Sequence, residues 1–255
     1  MKIRLKNEKD LQALRQSGLI LASVLELLKD TARVGVKLSH LDELARRLIE
    51  EAGGKPAFLG YRPEGALKPY PASICTSVNE TLVHGLPTNY ILKSGDVLKL
   101  DAGVNYKGYF TDAAITVPMG EVSSEAKKLI QTTKEALEKG IEACVPGNRS
   151  GDIGHAIESV VKKHGFAVIQ NLTGHGVGFA LHEEPDIYNF GEKGKGIVLE
   201  PGMVLAIEPM VAVKSSRVLQ KEDDSFVTEK GDLSAHFEHT VAITEKGPEI
   251  LTRLV

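Results

Sequence analysis

The 255-residue sequence is poor in the features that would mark several large protein classes. It has only two cysteines, Cys75 and Cys144, far apart and in no C-x-x-C arrangement. That excludes a disulfide scaffold and a zinc ribbon, fits a reducing cytoplasm, and makes small buried hydrophobes the expected role of both thiols. The formal net charge is −3, so no global field pulls the chain toward nucleic acid or a membrane. No apolar run reaches the roughly 20 residues of a membrane span, since "LILASVLELL" is broken by Glu26. A secretory signal, low-complexity tracts and long linkers are also missing. No H-E-x-x-H occurs, and "GHGVG" followed by Phe179 is not the G-x-G-x-x-G of nucleotide binding. The start is locally basic (Lys2, Arg4, Lys6, Lys9) and reads as a solvated terminus.

What is present is written twice. Asn7 and Ser39 are placed to cap two helices that end by Gly53-Gly54, and Ser123 and Ser150 introduce a second pair ending at Gly165. Leu41, Ala45, Leu48, Ile49 and Gly53 match Ile153, Ile157, Val160, Val161 and Gly165 at an offset of 112. "SGDVLKLDAG" lies over "PGMVLAIEPM" at an offset of 107, and "TDAAITV" over "FEHTVAIT". This predicts an α+β chain, 1–255 as one domain, with pseudo-symmetric halves of about 1–120 and 121–255, each two helices followed by antiparallel strands.

The duplication carries acids with it. Asp101 falls on Glu208 and Asp112 on Glu238, and common ancestry of core residues does not by itself require matching carboxylates on strands. In "VLKLDAGVNYKGYFTDAAITV", a turn centred on Tyr106-Lys107 pairs residues whose numbers sum to 213, which sets Asp101 opposite Asp112. Directly opposed Cβ atoms lie about 4.5–5.5 Å apart. Two bare carboxylates there repel by about 4 kcal/mol at an effective dielectric of about 20. Four converging acids need protons or cations, and Lys99 alone does not balance them. Hard divalent ions are the economical answer, because oxygen donors suit them and carboxylates can bridge a pair. His175 in "GHGVGFALHEEP" adds an imidazole suited to a first-row transition metal, and Gly174, Gly176 and Gly178 would let its loop close over the ions.

Together, "SVNETLVHGLP", "KLDAG", "FTDAA", "GHGVGFALHEEP", "IEPM" and "SAHFEHT" resemble the type I methionine aminopeptidases, from Asn7 to Leu251. The resemblance implies the pita-bread fold, one curved sheet with helices outside. It also implies two divalent ions (Mn, Fe, Co or Zn) on Asp101, Asp112, His175, Glu208 and Glu238, with Asp112 and Glu238 bridging. The implied reaction removes the N-terminal methionine of nascent proteins with a small second residue, using a metal-bridged water. In it Glu208 moves the proton, His182 donates to the carbonyl oxygen, and His84 contacts the scissile amide. Phe58, Tyr61, Tyr70, Cys75, Leu181 and Phe226 would line the methionine pocket. Here the chain departs from the common form: the stretch between Tyr61 and Tyr70 is about five residues longer, Phe58 replaces a frequent cysteine, and Leu181 a phenylalanine. The expected setting is a cytoplasmic monomer acting on methionyl peptides, without membrane or specific nucleic-acid recognition; docking at the ribosome through the basic start stays open. Two alternatives stand beside this: an X-Pro peptidase on the same fold, and a non-enzymatic peptide- or partner-binding protein.

Overall fold

A computed structural model of the chain describes residues 3–62 and 68–254. Lys2 and the lengthened stretch over 63–67 lie outside the described residues. Among these residues, four helices alternate with strands in the repeated plan: α1 (Glu8–Thr31) and α2 (Leu38–Glu51), then α3 (Ser124–Glu142) and α4 (Ser150–Lys163). Asn7 caps α1 by accepting from the Lys9 and Asp10 amides, and Asp10 returns the bond to the Asn7 amide. Ser123 Oγ accepts from the Ala126 amide at 3.1 Å and starts α3. The other two serines do not cap. Lys37 and Arg149 hold the N-cap positions, so Ser39 and Ser150 already lie within helices. After α2 and α4 the chain turns at Gly53 (φ 78°) and Gly165 (φ 81°), the left-handed conformation glycine adopts at least cost.

Among the described residues, the strands form one nine-stranded antiparallel sheet and two small three-stranded ones. In the large sheet, Val97–Tyr106 pairs with Tyr109–Pro118, which pairs with Glu238–Thr244, followed by Val204–Ile207, Gly174–Gly176 and Glu183–Ile187. Alternation along these strands separates two faces. Leu98, Leu100, Ala102, Val104 and Ala113 point one way and pack with Leu21, Leu25 and Leu28 of α1 and Leu41, Ala45 and Ile49 of α2. Leu205, Ile207, Val241 and Ile243 point the same way in the second half, against Leu129, Leu137, Ile153 and Ile157 of α3 and α4. Each such leucine or isoleucine, fully buried, contributes about 1.5–3 kcal/mol, which fixes which face the helices cover. The remaining face carries the acids, beside a smaller apolar cluster of Val204, Ala206 and Ala242 with Leu11 and Leu14 of α1.

The α1 helix is long and apolar enough to cross a membrane by composition, with a mean hydropathy of 1.2 over its best window, but 56% of that window is buried inside the fold. Its apolar stripe is spent on the sheet, as a core helix's is.

Candidate active site

The hairpin that carries the first two acids turns at Lys107 (φ 54°) and Gly108 (φ 88°), two consecutive left-handed residues that make a two-residue turn matched to strand twist. Tyr106 therefore pairs with Tyr109, and Asp101 faces Ala114 while Asp112 faces Gly103. The register expected from the sequence, with Asp101 opposite Asp112, is off by two residues on the partner strand. Because paired numbers sum to 215 rather than 213, parity is preserved and both acids stay on one face as diagonal neighbours. Glu238 pairs with the same Ala114, so Asp101, Ala114 and Glu238 form a row across three strands in which the alanine methyl leaves room between the acids. Thr240 pairs with Ala206, and Ala206 with His175, which brings the imidazole to the same face. Glu208 follows immediately after Ile207, the partner of His239.

All five side chains are buried: Asp101 and Glu208 are 9% exposed, His175 8%, Asp112 4% and Glu238 2%. One ligand atom from each of Asp112, His175 and Glu238 falls within 4.8 Å of the others, and Glu208, His236 and Glu238 form a second such group. Burial pushes the carboxyls of Asp101 and Glu208 up to about 7; for Asp101 the neighbouring His236 opposes the rise, for Glu208 His175 does. Asp112 and Glu238 are driven well above the usual range, by burial first and then by neighbouring acids, Asp101 for Asp112 and Asp112 for Glu238. Asp101 Oδ1, Asp112 Oδ1 and Glu238 Oε1 are buried with no hydrogen-bond partner among the described residues. The His175 Nδ1 lies 2.9 Å from the Gly176 carbonyl oxygen, which can only accept, so the ring proton sits there and Nε2 presents a lone pair. That lone pair stands 3.6 Å from Glu208 Oε1. Orphaned buried oxygens and an imidazole acceptor turned toward a carboxylate are the donor set a divalent metal takes. Lys99 does not serve instead: fully buried, it donates to the backbone carbonyls of Asn79 at 2.7 Å and Val97 at 3.3 Å.

The acids floor a cavity of about 900 Å³. Phe58, Cys75 and Leu181 are buried along its apolar side with the rings of Tyr61 and Tyr70 against them. His84 and His182 face into it, open to its solvent. His84 is held in the left-handed region (φ 58°), a strained conformation for a side-chain-bearing residue and one that aims its ring at the cavity. Enclosure first, then neighbouring imidazoles, keeps both histidines below the ordinary imidazole pKa. His182 Nδ1 is 2.7 Å from the Tyr61 hydroxyl, and its ring lies 4.3 Å from that of His175. Phe226 differs from expectation. It does not line the cavity but packs edge-on behind His84, ring centres 5.4 Å apart, in a cluster with Leu82, Val83, Met210 and Val218.

Three site features were not read from the sequence. His236 Nε2 lies 3.1 Å from Glu208 Oε2, and burial lowers its pKa to about 4, so a neutral ring donates to that carboxylate. The signal was in "SAHFEHT", two residues before Glu238. Gly103 is the second: a Cβ there would sit 2.9 Å from Ala57 Cβ and from Phe58 Cε1, and 3.4 Å from Leu181 Cδ1. The third is the reason for the glycines around His175. Cβ atoms at Gly174, Gly176 and Gly178 would strike Ala206 O at 2.4 Å, Glu184 O at 2.2 Å and Lys6 Cε at 2.6 Å. They admit neighbouring strands and the N-terminal segment, rather than letting the loop close over ions. The basic start is correspondingly not all solvated, since Lys6 is 5% exposed.

Comparison with known proteins agrees with this geometry. The metallopeptidase family M24 model matches residues 12–245. The methionine aminopeptidase of Clostridium acetobutylicum is 44% identical over 252 residues, 98% of each chain. The crystal structure of methionine aminopeptidase from Thermotoga maritima superposes with a TM-score of 0.94 at 41% identity, covering 99% of this chain and 100% of that one. The prolidase of Pyrococcus horikoshii shares the fold at a TM-score of 0.78 and 22% identity, with 98% of this chain spanning 64% of that one. The chain belongs to metallopeptidase family M24, among its methionine aminopeptidases.

Proposed function

We propose that this metal-dependent hydrolase cleaves the first peptide bond of N-terminal methionyl peptides that carry a small second residue. Asp101, Asp112, His175, Glu208 and Glu238 would hold two divalent ions, and Mn, Fe, Co or Zn each suit four carboxylates and one imidazole. Bound there, such ions supply Lewis acidity and lower the pKa of water toward 7. The single observation that carries the reading is the convergence of these five buried donors on one sheet face, with orphaned oxygens, at the floor of an apolar cavity.

The chain's own residues do the rest. Phe58, Tyr61, Tyr70, Cys75 and Leu181 receive the methionine side chain, which sets the scissile carbonyl over the acids. A Tyr61 hydroxyl donated to His182 Nδ1 leaves the proton on Nε2, so His182 can donate to the carbonyl oxygen as charge builds on it, an oxyanion role worth about 3 kcal/mol. Glu208, steadied by the His236 N–H, takes the proton of the attacking water and returns it to the leaving amine, so that a C–O bond replaces the C–N bond. His84, propped by the Phe226 ring, faces the scissile amide from the opposite wall.

The test is hydrolysis of Met-Ala-Ser against Ala-Pro-Ala after chelation, with each divalent ion added back. Methionine release that depends on metal is expected. Activity surviving complete metal removal, or preference for the proline substrate, would refute the assignment.

A further inference from the structure

The residues ahead of α1 form a strap across the loop that bears His182. The Lys6 amide donates to the Gly202 carbonyl at 2.7 Å. Gly202 has φ +93°, and a Cβ there would come within 2.9 Å of the Lys6 carbonyl oxygen. The Lys6 side chain then passes beneath Gly178, itself at φ +137°, where a Cβ would lie 2.6 Å from Lys6 Cε. Two glycines on separate segments thus give the strap its channel. At the channel's end, Lys6 Nζ meets Glu183 Oε2 at 2.7 Å, with both side chains buried. The other oxygen, Glu183 Oε1, accepts from the amides of Phe179 at 2.5 Å and Ala180 at 2.8 Å. From above, the Arg4 guanidinium covers the Phe179 ring at 4.1 Å, and the Phe110 amide holds the Gly178 carbonyl at 2.7 Å.

We propose that Lys6 is a positioning residue for catalysis: through Glu183 it fixes the 178–183 loop and so the placement of His182 in the cavity. The strap's contacts reach this loop at Gly178, Phe179, Ala180 and Glu183, while His182 projects from it into the cavity, where the Tyr61 hydroxyl meets its Nδ1 at 2.7 Å. Glu183 is bonded covalently to His182, which leaves no slack between the ion pair and the imidazole. Without the ammonium, Glu183 would be a buried carboxylate lacking its counter-charge; it would take a proton or turn toward water. Either response loosens its grip on the Phe179 and Ala180 amides and shifts His182. A misplacement of about 1 Å can cost about 100-fold in rate, so a tenfold loss corresponds to a modest displacement.

The inference rests on the oxyanion role of His182, and a double-mutant cycle on the full-length, metal-loaded enzyme separates the two. Met-Ala-Ser hydrolysis is measured for the parent, K6M, H182A and K6M/H182A, each well below its melting temperature. Alongside, amide hydrogen exchange is followed at Phe179 and Ala180. K6M is expected to lower kcat about tenfold with less than a twofold change in KM, and to speed exchange at those two amides. In the H182A background the same change should alter kcat less than twofold, because a lever that acts through His182 has nothing left to move. Equal losses in both backgrounds would mean a merely structural role and overturn the proposal, as would unchanged exchange. Full activity of H182A would instead remove the His182 reading on which it stands. Should K6M not fold, E183Q takes its place in the cycle, since it keeps an acceptor for both amides while cancelling the charge pair; its kcat loss must likewise vanish in the H182A background.

Discussion

Gly103 offers a direct probe of the pocket. It sits in the Val97–Tyr106 strand opposite Asp112, and its φ is not in the left-handed region, so alanine is compatible with its backbone. In a strand interior that exchange would ordinarily stabilise by about 0.5–1 kcal/mol. Here the new methyl would stand 2.9 Å from Phe58 Cε1 and from Ala57 Cβ, and 3.4 Å from Leu181 Cδ1. Ala57 Cβ is tied to the backbone, so the Phe58 ring and the Leu181 methyl are what must yield, and both line the cavity. Overpacking of this kind costs about 1–3 kcal/mol, which exceeds the backbone gain by up to about 2 kcal/mol and lowers the melting temperature by a few degrees. The cavity bears the consequence. A methionine side chain buried in full contributes about 1.5–3 kcal/mol. Losing half of that burial removes about 0.8–1.5 kcal/mol, or roughly fourfold to tenfold in kcat/KM. G103A should therefore lower kcat/KM for Met-Ala-Ser roughly fourfold to tenfold and leave the slower cleavage of a norvaline analogue, one atom shorter, less affected. The assay is competition between the two peptides with quantified product amines. An unchanged ratio would refute the claim that Gly103 sets the depth of the pocket.

Three further outcomes follow from the same geometry. Chelation should lower the melting temperature, because a metal present at about 100 times its Kd stabilises by about 2.7 kcal/mol, which for a chain of this size is roughly 5–10 °C; identical calorimetric transitions with and without chelator would argue against a buried ion site. Y61F removes the hydroxyl 2.7 Å from His182 Nδ1 and should lower kcat several-fold with little change in KM, whereas a large KM change alone would make Tyr61 only a pocket wall. Asp232 gives a pH test away from the acids. Burial pushes its carboxyl up, but bonds from the Ser215 hydroxyl and the Lys214 and Ser215 amides outweigh that and hold it below the usual range. A depressed folded pKa stabilises above the unfolded value and is lost as pH falls through the folded one. D232N should thus melt a few degrees lower than the parent from pH 6 to 8, with the gap closing below about pH 4; a gap that persists there would assign the effect to packing.

The acids were legible because a doubled chain repeated them, and their common face survived an error in register. The "NYKG" signal was read one residue too early. Gly108 takes the second left-handed position of the turn and Lys107, unusually for a lysine, the first. Moving the turn by one residue shifts every partner by two positions, and because side chains alternate with period two the facing sides are unchanged. Asp101 and Asp112 therefore lost their direct opposition and kept their side of the sheet. The helix starts were less forgiving. Ser39 and Ser150 look like caps by residue type, but backbone bonds such as Ser39 N to Thr88 O and Ser150 N to Ile197 O reach the first turns from distant segments and do the satisfying that a cap would do.

The glycines of "GHGVGFALHEEP" show where sequence reading meets its physical limit. Their number announces close approach, but what approaches comes from residue 206, residue 184 and residue 6. Periodicity and spacing are local quantities, so they cannot report a neighbour that, like Lys6 beside Gly178, is 172 residues away along the chain and in contact in the fold. The same blindness turned a buried lysine into one more charge on a solvated terminus. A lysine almost never goes fully inside unless its charge has a partner, and Glu183 is the residue that makes Lys6 affordable there. The acidic pair in "HEEP" is thus divided by environment: both border the cavity, but the Glu183 carboxylate is buried against the strap and Glu184 is exposed. One residue of offset on the chain separates a carboxylate held inside the fold by Lys6 from one turned to solvent, and only the long-range fold tells them apart.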